Sequence, residues 1–288
     1  MSVRTLRPLD YGALFDEVFD LYKRNVLLFV GIAGVVYLPL NILLQFLLAR
    51  FMQGYMEALS SGVPDWGRLD WGALAIFLLA SLAAVPFTYA VVAATTWAVS
   101  RCYLGERPSI IESYRAITPR LFPFVLTFII VGLAQGLGFL FCCLPGLALF
   151  FIFAFVSEVF VLEGKEYFAA MRRSWDLVIG QWARVIVVGI LTFVVALILQ
   201  SIITAPFQVI TTVLKIDPYS NASLSVGQGL AQGIAQTLVL PVQTICFVLL
   251  YYDIRVRREG FDIELLAAGV GAAPVGPSQD EIETETNR

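Results

Sequence analysis

The 288-residue chain is 59% hydrophobic and 14% charged, with a mean hydropathy of +0.81. A soluble domain carries about 25% charged residues, so this chain has too few to coat a water-facing surface, and composition alone places it in a membrane. Histidine is absent, which excludes Ser-His and Cys-His catalysis, histidine-ligated haem and most zinc chemistry; no metal and no cofactor is expected.

The chain opens on an amphipathic segment. Tyr11, Leu14, Phe15, Val18 and Tyr22 share one helical face, with Asp16, Glu17, Asp20 and Lys23 opposite. It lacks the apolar core and small-residue cleavage site of a secretory signal. Apolar runs of about 20 residues suffice to cross a hydrocarbon layer of roughly 30 Å. The first two such runs lie near 26–49 and 72–99.

A second amphipathic segment follows, where Ser109 and Glu112 form a capping-box pattern ahead of the stripe Ile110, Ile111, Tyr114 and Ile117. Runs near 121–143 and 145–162 make one long apolar stretch broken by Cys142-Cys143-Leu144-Pro145-Gly146. Proline at a helix start beside glycine predicts a tight helical hairpin there. A third amphipathic segment carries Tyr167, Phe168, Met171, Trp175, Val178, Ile179 and Trp182 at helical spacing, with Arg172, Arg173 and Asp176 polar. The last runs lie near 185–206 and 228–250.

The pattern therefore predicts three units, each an interfacial helix followed by a helical hairpin. The expected fold is all-α and polytopic, with six transmembrane helices and three amphipathic interfacial helices on the cytoplasmic side. Residues 1–266 form the membrane domain. Residues 267–288 are rich in Gly, Ala and Pro and then acidic at Asp280, Glu281, Glu283 and Glu285, which reads as a disordered tail.

Lysine and arginine set the orientation. Arg4, Arg7, Lys23, Arg24, Arg101, Arg107, Arg115, Arg120, Lys165, Arg172, Arg173, Arg184, Arg255, Arg257, Arg258 and Arg288 all fall on one side of the six spans, against Arg50, Arg68 and Lys215 on the other. Positively charged flanks stay cytoplasmic, so both termini are expected inside, in a multi-pass membrane protein. The basic residues are thereby explained by topology, and nucleic acid is not an expected partner.

An ionisable side chain at membrane depth is a functional hypothesis by default, and Glu158 is the candidate. It suits a structural ion pair, with an arginine such as Arg172, or a proton or substrate role. Span six carries Gln228, Gln232 and Gln236 on one face, with Gly229 and Gly233 on the adjacent stripe. Small residues four apart allow close helix approach and glutamines hydrogen-bond across helices; a polar face lining a pore or cleft is the alternative. Cys102, Cys142, Cys143 and Cys246 show no paired metal spacing and read as small apolar residues. No phosphate-binding glycine loop, nucleophile elbow or intramembrane Asp pair is present, so no catalytic residue is assigned.

Three stretches, LRPLDYGALFDEVFDLYKRN, AAMRRSWDLVIGQWARVI and LLYYDIRVRREGFDIELLA, resemble bacterial glycerophosphoryl diester phosphodiesterase membrane-domain proteins over most of residues 5–268. The resemblance implies a stand-alone six-helix membrane domain. The enzymatic activity of that family belongs to a soluble barrel with histidine and acidic metal ligands, which this chain lacks, so the activity is not carried over. The expected role is a non-catalytic scaffold or regulatory module in the lipid bilayer, with a protein partner or a second copy of the chain. The alternative is a transporter or lipid-handling channel that uses the polar face of span six together with Glu158.

Overall fold

The computed structural model describes residues 10–59, 67, 69–141, 143–214 and 222–259. Arg4, Arg7, Trp66, Arg68, Cys142, Lys215, Arg288 and the acidic tail lie outside the described residues. Among the described residues ten α-helices follow in chain order: α1 Tyr11–Arg24, α2 Val26–Leu59, α3 Trp71–Tyr103, α4 Ile110–Ile117, α5 Leu121–Phe141, α6 Cys143–Ile152, α7 Val156–Glu158, α8 Tyr167–Val178, α9 Trp182–Val213 and α10 Ala222–Glu259. Among the described residues there is no β-strand. Six helical stretches among them are long and apolar enough to cross a membrane, and the protein is a multi-pass membrane protein.

The helices outrun the apolar runs that announce them. The 34 residues of α2 and the 38 of α10 are roughly 50 Å or more long at 1.5 Å per residue, well beyond the hydrocarbon layer. An α-helix satisfies its own backbone, so nothing obliges it to stop where the lipid does. Pro39, Pro86, Pro206 and Pro241 sit inside α2, α3, α9 and α10 without ending them. Hydroxyls along the spans bond back into their own helices, as Thr95 Oγ1 does to the Val91 carbonyl (2.7 Å), Thr192 Oγ1 to Val188 (2.7 Å) and Thr237 Oγ1 to Gly233 (2.7 Å).

Packing is concentrated at the end where α1, α4 and α8 lie. There Leu14, Val18 and Leu21 of α1 join Phe29 and Ile32 of α2, Ala94, Ala98 and Val99 of α3, Phe155, Val156 and Val159 of the fourth span, Leu177 and Val178 of α8 and the Ile245–Ile254 stretch of α10 in one buried cluster. At the opposite end the spans present broad apolar faces to lipid, for example Leu79 and Leu82 on α3, Leu140 and Phe141 on α5 and Ile198 and Ile202 on α9. α10 is the axis of the bundle, in contact with α2, α9, α1 and α3.

The fourth span departs from the expected continuous run 145–162. It divides at Phe153–Phe155 between α6 and α7, and Val159–Glu163 closes it with a π turn. Ser174, fully buried on α8, sits in the division: its Oγ accepts from the Phe155 N–H (3.2 Å) and donates to the Ile152 carbonyl (2.6 Å). Backbone groups freed by the break are thus satisfied by one side chain from a neighbouring helix.

The amphipathic helices also differ in detail from the stripes read off the sequence. α8 buries Ala170, Ser174, Leu177 and Val178 and leaves Phe168, Trp175 and Ile179 exposed. Where the surroundings are lipid, large aromatics gain nothing by turning inward, and the small side chains take the helix–helix contact instead. α1 runs alongside α10, its Tyr22 hydroxyl donating to the Leu238 carbonyl at 3.2 Å. α4 begins with the expected capping box, Glu112 N–H donating to Ser109 Oγ (3.2 Å) and Ser109 N–H to Glu112 Oε2 (2.8 Å).

Candidate functional site

The polar face of span six is an interhelical seam. Gly229 and Gly233 lie directly against the backbone of α2: a Cβ on Gly229 would meet Ile42 Cα at 2.8 Å and the Asn41 carbonyl oxygen at 2.9 Å, and one on Gly233 would meet Leu38 Cα at 3.2 Å. Gln236 Oε1 accepts from Asn41 Nδ2 at 3.0 Å, and Gln232 Oε1 accepts from Gln200 Nε2 of α9 at 2.9 Å. Gly229, Gln232, Gly233 and Gln236 therefore knit α10 to α2 and α9.

Gln228 is the exception, because its buried Oε1 has no hydrogen-bond partner, as is also true of Gln45 Oε1.

Glu158 is only 3% exposed and its Oε2 has no hydrogen-bond partner; among the described residues it makes no ion pair, with Arg172 or any other. Its neighbour Ser157 approaches Thr96 of α3 (Oγ–Oγ1 3.3 Å). Phe155, one turn earlier, packs on Tyr251 of α10, ring centroids 6.2 Å apart. Tyr251 is fifteen residues beyond Gln236, roughly 22 Å along the helix axis. Glu158 and the glutamine face are two places rather than one site.

The richest polar assembly lies at the last turns of α10, whose basic residues the sequence reading explains by topology. Asp253, with no exposed side-chain surface, takes Arg184 of α9 at 2.7 Å and Arg257 at 3.0 Å, and Tyr11 of α1 places its ring 4.9 Å from the Arg184 guanidinium carbon. Glu163, at the end of the π turn, takes Arg173 (2.9 Å), Lys165 (2.8 Å) and the Tyr251 hydroxyl (2.9 Å). Arg173 passes on to Glu259 at 2.6 Å, and Arg255 meets the same carboxylate at 3.0 Å. The bond to Glu259 holds the Arg173 guanidinium well above its ordinary pKa. Arg258 Nη1 donates to the carbonyls of Asp176, Leu177 and Ile179, capping the end of α8. Ser100 and Tyr252 hydroxyls meet at 2.7 Å, and Tyr252 stacks on Tyr103 at 5.6 Å.

This lattice ties α1, α3, the fourth span, α8 and α9 to α10. Asp253 could have been singled out in the sequence as an acid between the apolar run and an arginine cluster, but its partner Arg184, 69 positions earlier, could not.

Three clefts accompany these groups. One of about 650 Å³ is lined by Leu21, Arg24, Cys102, Tyr103 and Arg107 among others, and a second of about 550 Å³ by Trp97, Arg101, Arg107 and Arg115. An apolar crevice of about 340 Å³ opens between α6, α9 and α10 beside Phe151, Gly189, Thr192 and Gln243. Neither Glu158 nor Gln228, Gln232 or Gln236 lines any of the three. Among the described residues no three His, Cys, Asp or Glu side chains cluster. Cys102 and Cys246 are buried free thiols and Cys143 an exposed one.

A family model described as a domain of unknown function, DUF7847, matches residues 26–256. The chain belongs to that family. The matched DUF7847 region begins with the first residue of α2 and stops three residues short of the end of α10, so it takes in all six spans and leaves α1 outside. This overturns the resemblance to glycerophosphoryl diester phosphodiesterase membrane-domain proteins: the family found is a different one. Two of the three stretches that carried that resemblance, 6–25 and 249–267, lie wholly or largely outside the DUF7847 match, and their apolar and aromatic spacing is what any helix-and-hairpin unit shows. No curated protein and no solved structure matches the chain.

Proposed function

We propose that this DUF7847 protein is a non-catalytic module of a bacterial cytoplasmic membrane, with both termini in the cytoplasm, that binds and organises a protein partner or a second copy of itself. The observation that carries the reading is that polar chemistry inside the bundle is taken up by joining helices. The glutamine and glycine stripes face α2 and α9, and the charged groups around Asp253 and Glu163 lock the helices at one end. The sixteen-to-three division of Lys and Arg supports the orientation. The outward stripe Phe168, Arg172, Trp175 and Ile179 on α8 gives a rigidly held surface at that end, with Arg258 and Ser174 fixing the helix beneath it.

Extraction in native lipid discs followed by mass spectrometry tests this. A partner in fixed ratio, or a defined multimer, is the expected result; a chain that always emerges single and alone counts against it.

A second reading, transport or lipid handling, is favoured by the unpartnered carboxylate oxygen of Glu158 and amide oxygen of Gln228. It requires flux in reconstituted vesicles that falls on Glu158→Gln or Gln232→Leu. Equal flux in wild type and both variants removes it.

A further inference from the structure

The segment joining α3 to α4 is built rather than loose. Gly105, at φ +90°, makes the left-handed turn that lets its N–H reach the Cys102 carbonyl (3.1 Å) and the Glu106 N–H reach Arg101 (2.9 Å). Glu106 is then tied to the Arg101 guanidinium at 2.9 and 3.1 Å, and Arg101 lies over the Trp97 ring at 5.1 Å. On the far side Ser109 and Glu112 form the capping box. Arg107 and Pro108 are therefore held between two anchored points.

Arg107 lines both the cleft of about 650 Å³ and that of about 550 Å³. Together the two clefts are lined by Arg24, Arg101, Arg107 and Arg115 against Glu106 and Glu112. Both acids are already engaged, Glu106 by Arg101 and Glu112 by the Ser109 N–H. Arg24 is paired with Asp20 at 2.7 Å, and among the described residues no carboxylate lies within ion-pair distance of Arg107 or Arg115, which leaves these two as the cleft arginines without an ion-pair partner. Leu21, Leu28 and Tyr103 add apolar lining to the first of them. Beside them stand Leu27, 85% exposed at the start of α2, and Ile111, 71% exposed at the start of α4. These two helices pack together here, the Tyr114 hydroxyl donating to the Ile32 carbonyl at 2.6 Å.

We propose that Arg107, flanked by Arg24 and Arg115, holds the phosphodiester headgroup of an anionic phospholipid whose acyl chains lie over Leu27 and Ile111. Guanidinium groups suit this ligand because they meet phosphate oxygens in a planar fork. A free phosphate would be met by the same donors but would leave the exposed leucine and isoleucine unexplained. The adjacency of cationic cleft and lipid-facing aliphatic surface selects an amphiphile.

The test is native mass spectrometry of the full-length protein in zwitterionic micelles, titrated with phosphatidylglycerol and separately with phosphatidylcholine. Phosphatidylglycerol should bind saturably and in preference. The double variant Arg107→Ala/Arg115→Ala should weaken it roughly tenfold or more, whereas Arg107→Lys should retain part of it and Arg50→Ala, an exposed position towards the far end of α2, should leave it unchanged. Thermal unfolding of each variant establishes that the fold is kept. Equal binding of the two lipids by the wild type overturns the proposal without recourse to any variant, as does an unchanged phosphatidylglycerol affinity in the folded double variant. Displacement of the lipid by millimolar inorganic phosphate overturns the lipid assignment and makes the cleft a soluble-anion site. None of these outcomes depends on whether the protein has a protein partner.

Discussion

Asp253 meets Arg184 at 2.7 Å and Arg257 at 3.0 Å, and it alone of the three has no exposed side-chain surface. The arrangement is asymmetric. Replacing Asp253 with Asn leaves the Arg184 guanidinium, 10% exposed, without its carboxylate, and stranding a buried charge costs about 3–5 kcal/mol. Replacing Arg184 with Met leaves Asp253 its second arginine. Thermal unfolding in detergent should show Asp253→Asn as clearly the more damaging change, with Arg184→Met/Asp253→Leu recovering much of the loss. A larger drop for Arg184→Met would mean that Asp253 is not the centre of the lattice.

Ser174 bridges the broken fourth span through one accepted and one donated hydrogen bond. Ser174→Ala should cost about 1–3 kcal/mol, since it leaves two buried backbone groups without their partner. Ser113 is equally buried, but its hydroxyl only returns to the Ser109 carbonyl of its own helix at 2.8 Å. Ser113→Ala should therefore be close to neutral. Hydrogen exchange at Phe155 separates the two cases: faster exchange is expected in Ser174→Ala and not in Ser113→Ala.

Six spans, their order and their alternation with the shorter helices α1, α4 and α8 could be read in the sequence because lipid imposes one rule along the whole chain. Each crossing must be apolar for about 20 residues and helical throughout. The helix ends could not be read, since α2 runs on to Leu59 and α10 to Glu259 through water-compatible residues that an apolar window discounts. The division at Phe153–Phe155 was hidden for another reason. Its cause, Ser174, is a residue on a different helix. Gly229, Gly233, Gln232 and Gln236 were found by spacing because close packing leaves a periodic mark. The Asp253–Arg184 and Glu163–Arg173 pairs leave none, because charge pairing across a fold fixes no sequence interval.

The glycine seam gives a prediction with an internal control. A Cβ at Gly229 would press on backbone atoms of α2 at 2.8–2.9 Å, and backbone cannot swing aside as a side chain can. Gly229→Ala should separate α2 from α10 and lower stability by about 1–3 kcal/mol. Gly132 and Gly136 of α5 have open space at the same test position, so alanine there should be neutral or stabilise by up to about 1 kcal/mol through helix propensity. If all three alanines melt alike, the close α2–α10 approach is not what the glycines serve.

The proposed orientation can be tested on two residues at opposite ends of α3. Asp70 caps the start of that helix, accepting the Ala73 N–H at 2.8 Å, and is exposed. Glu106 lies just past its other end, beside the clefts and also exposed. Of the four cysteines, Cys102 and Cys246 are buried, so changing Cys142 and Cys143 to serine leaves a background of low reactivity. In that background a membrane-impermeant maleimide added to intact cells should label Asp70→Cys and not Glu106→Cys, with Glu106→Cys reacting only after lysis. The driving term is the basic flank: each Lys or Arg near an anionic leaflet is worth about 1 kcal/mol, and the order of the six spans assigns sixteen of the nineteen in the sequence to the Glu106 side. Labelling of Glu106→Cys in intact cells would place the Asp253 lattice and the Arg107 clefts outside the cell, and the orientation with them.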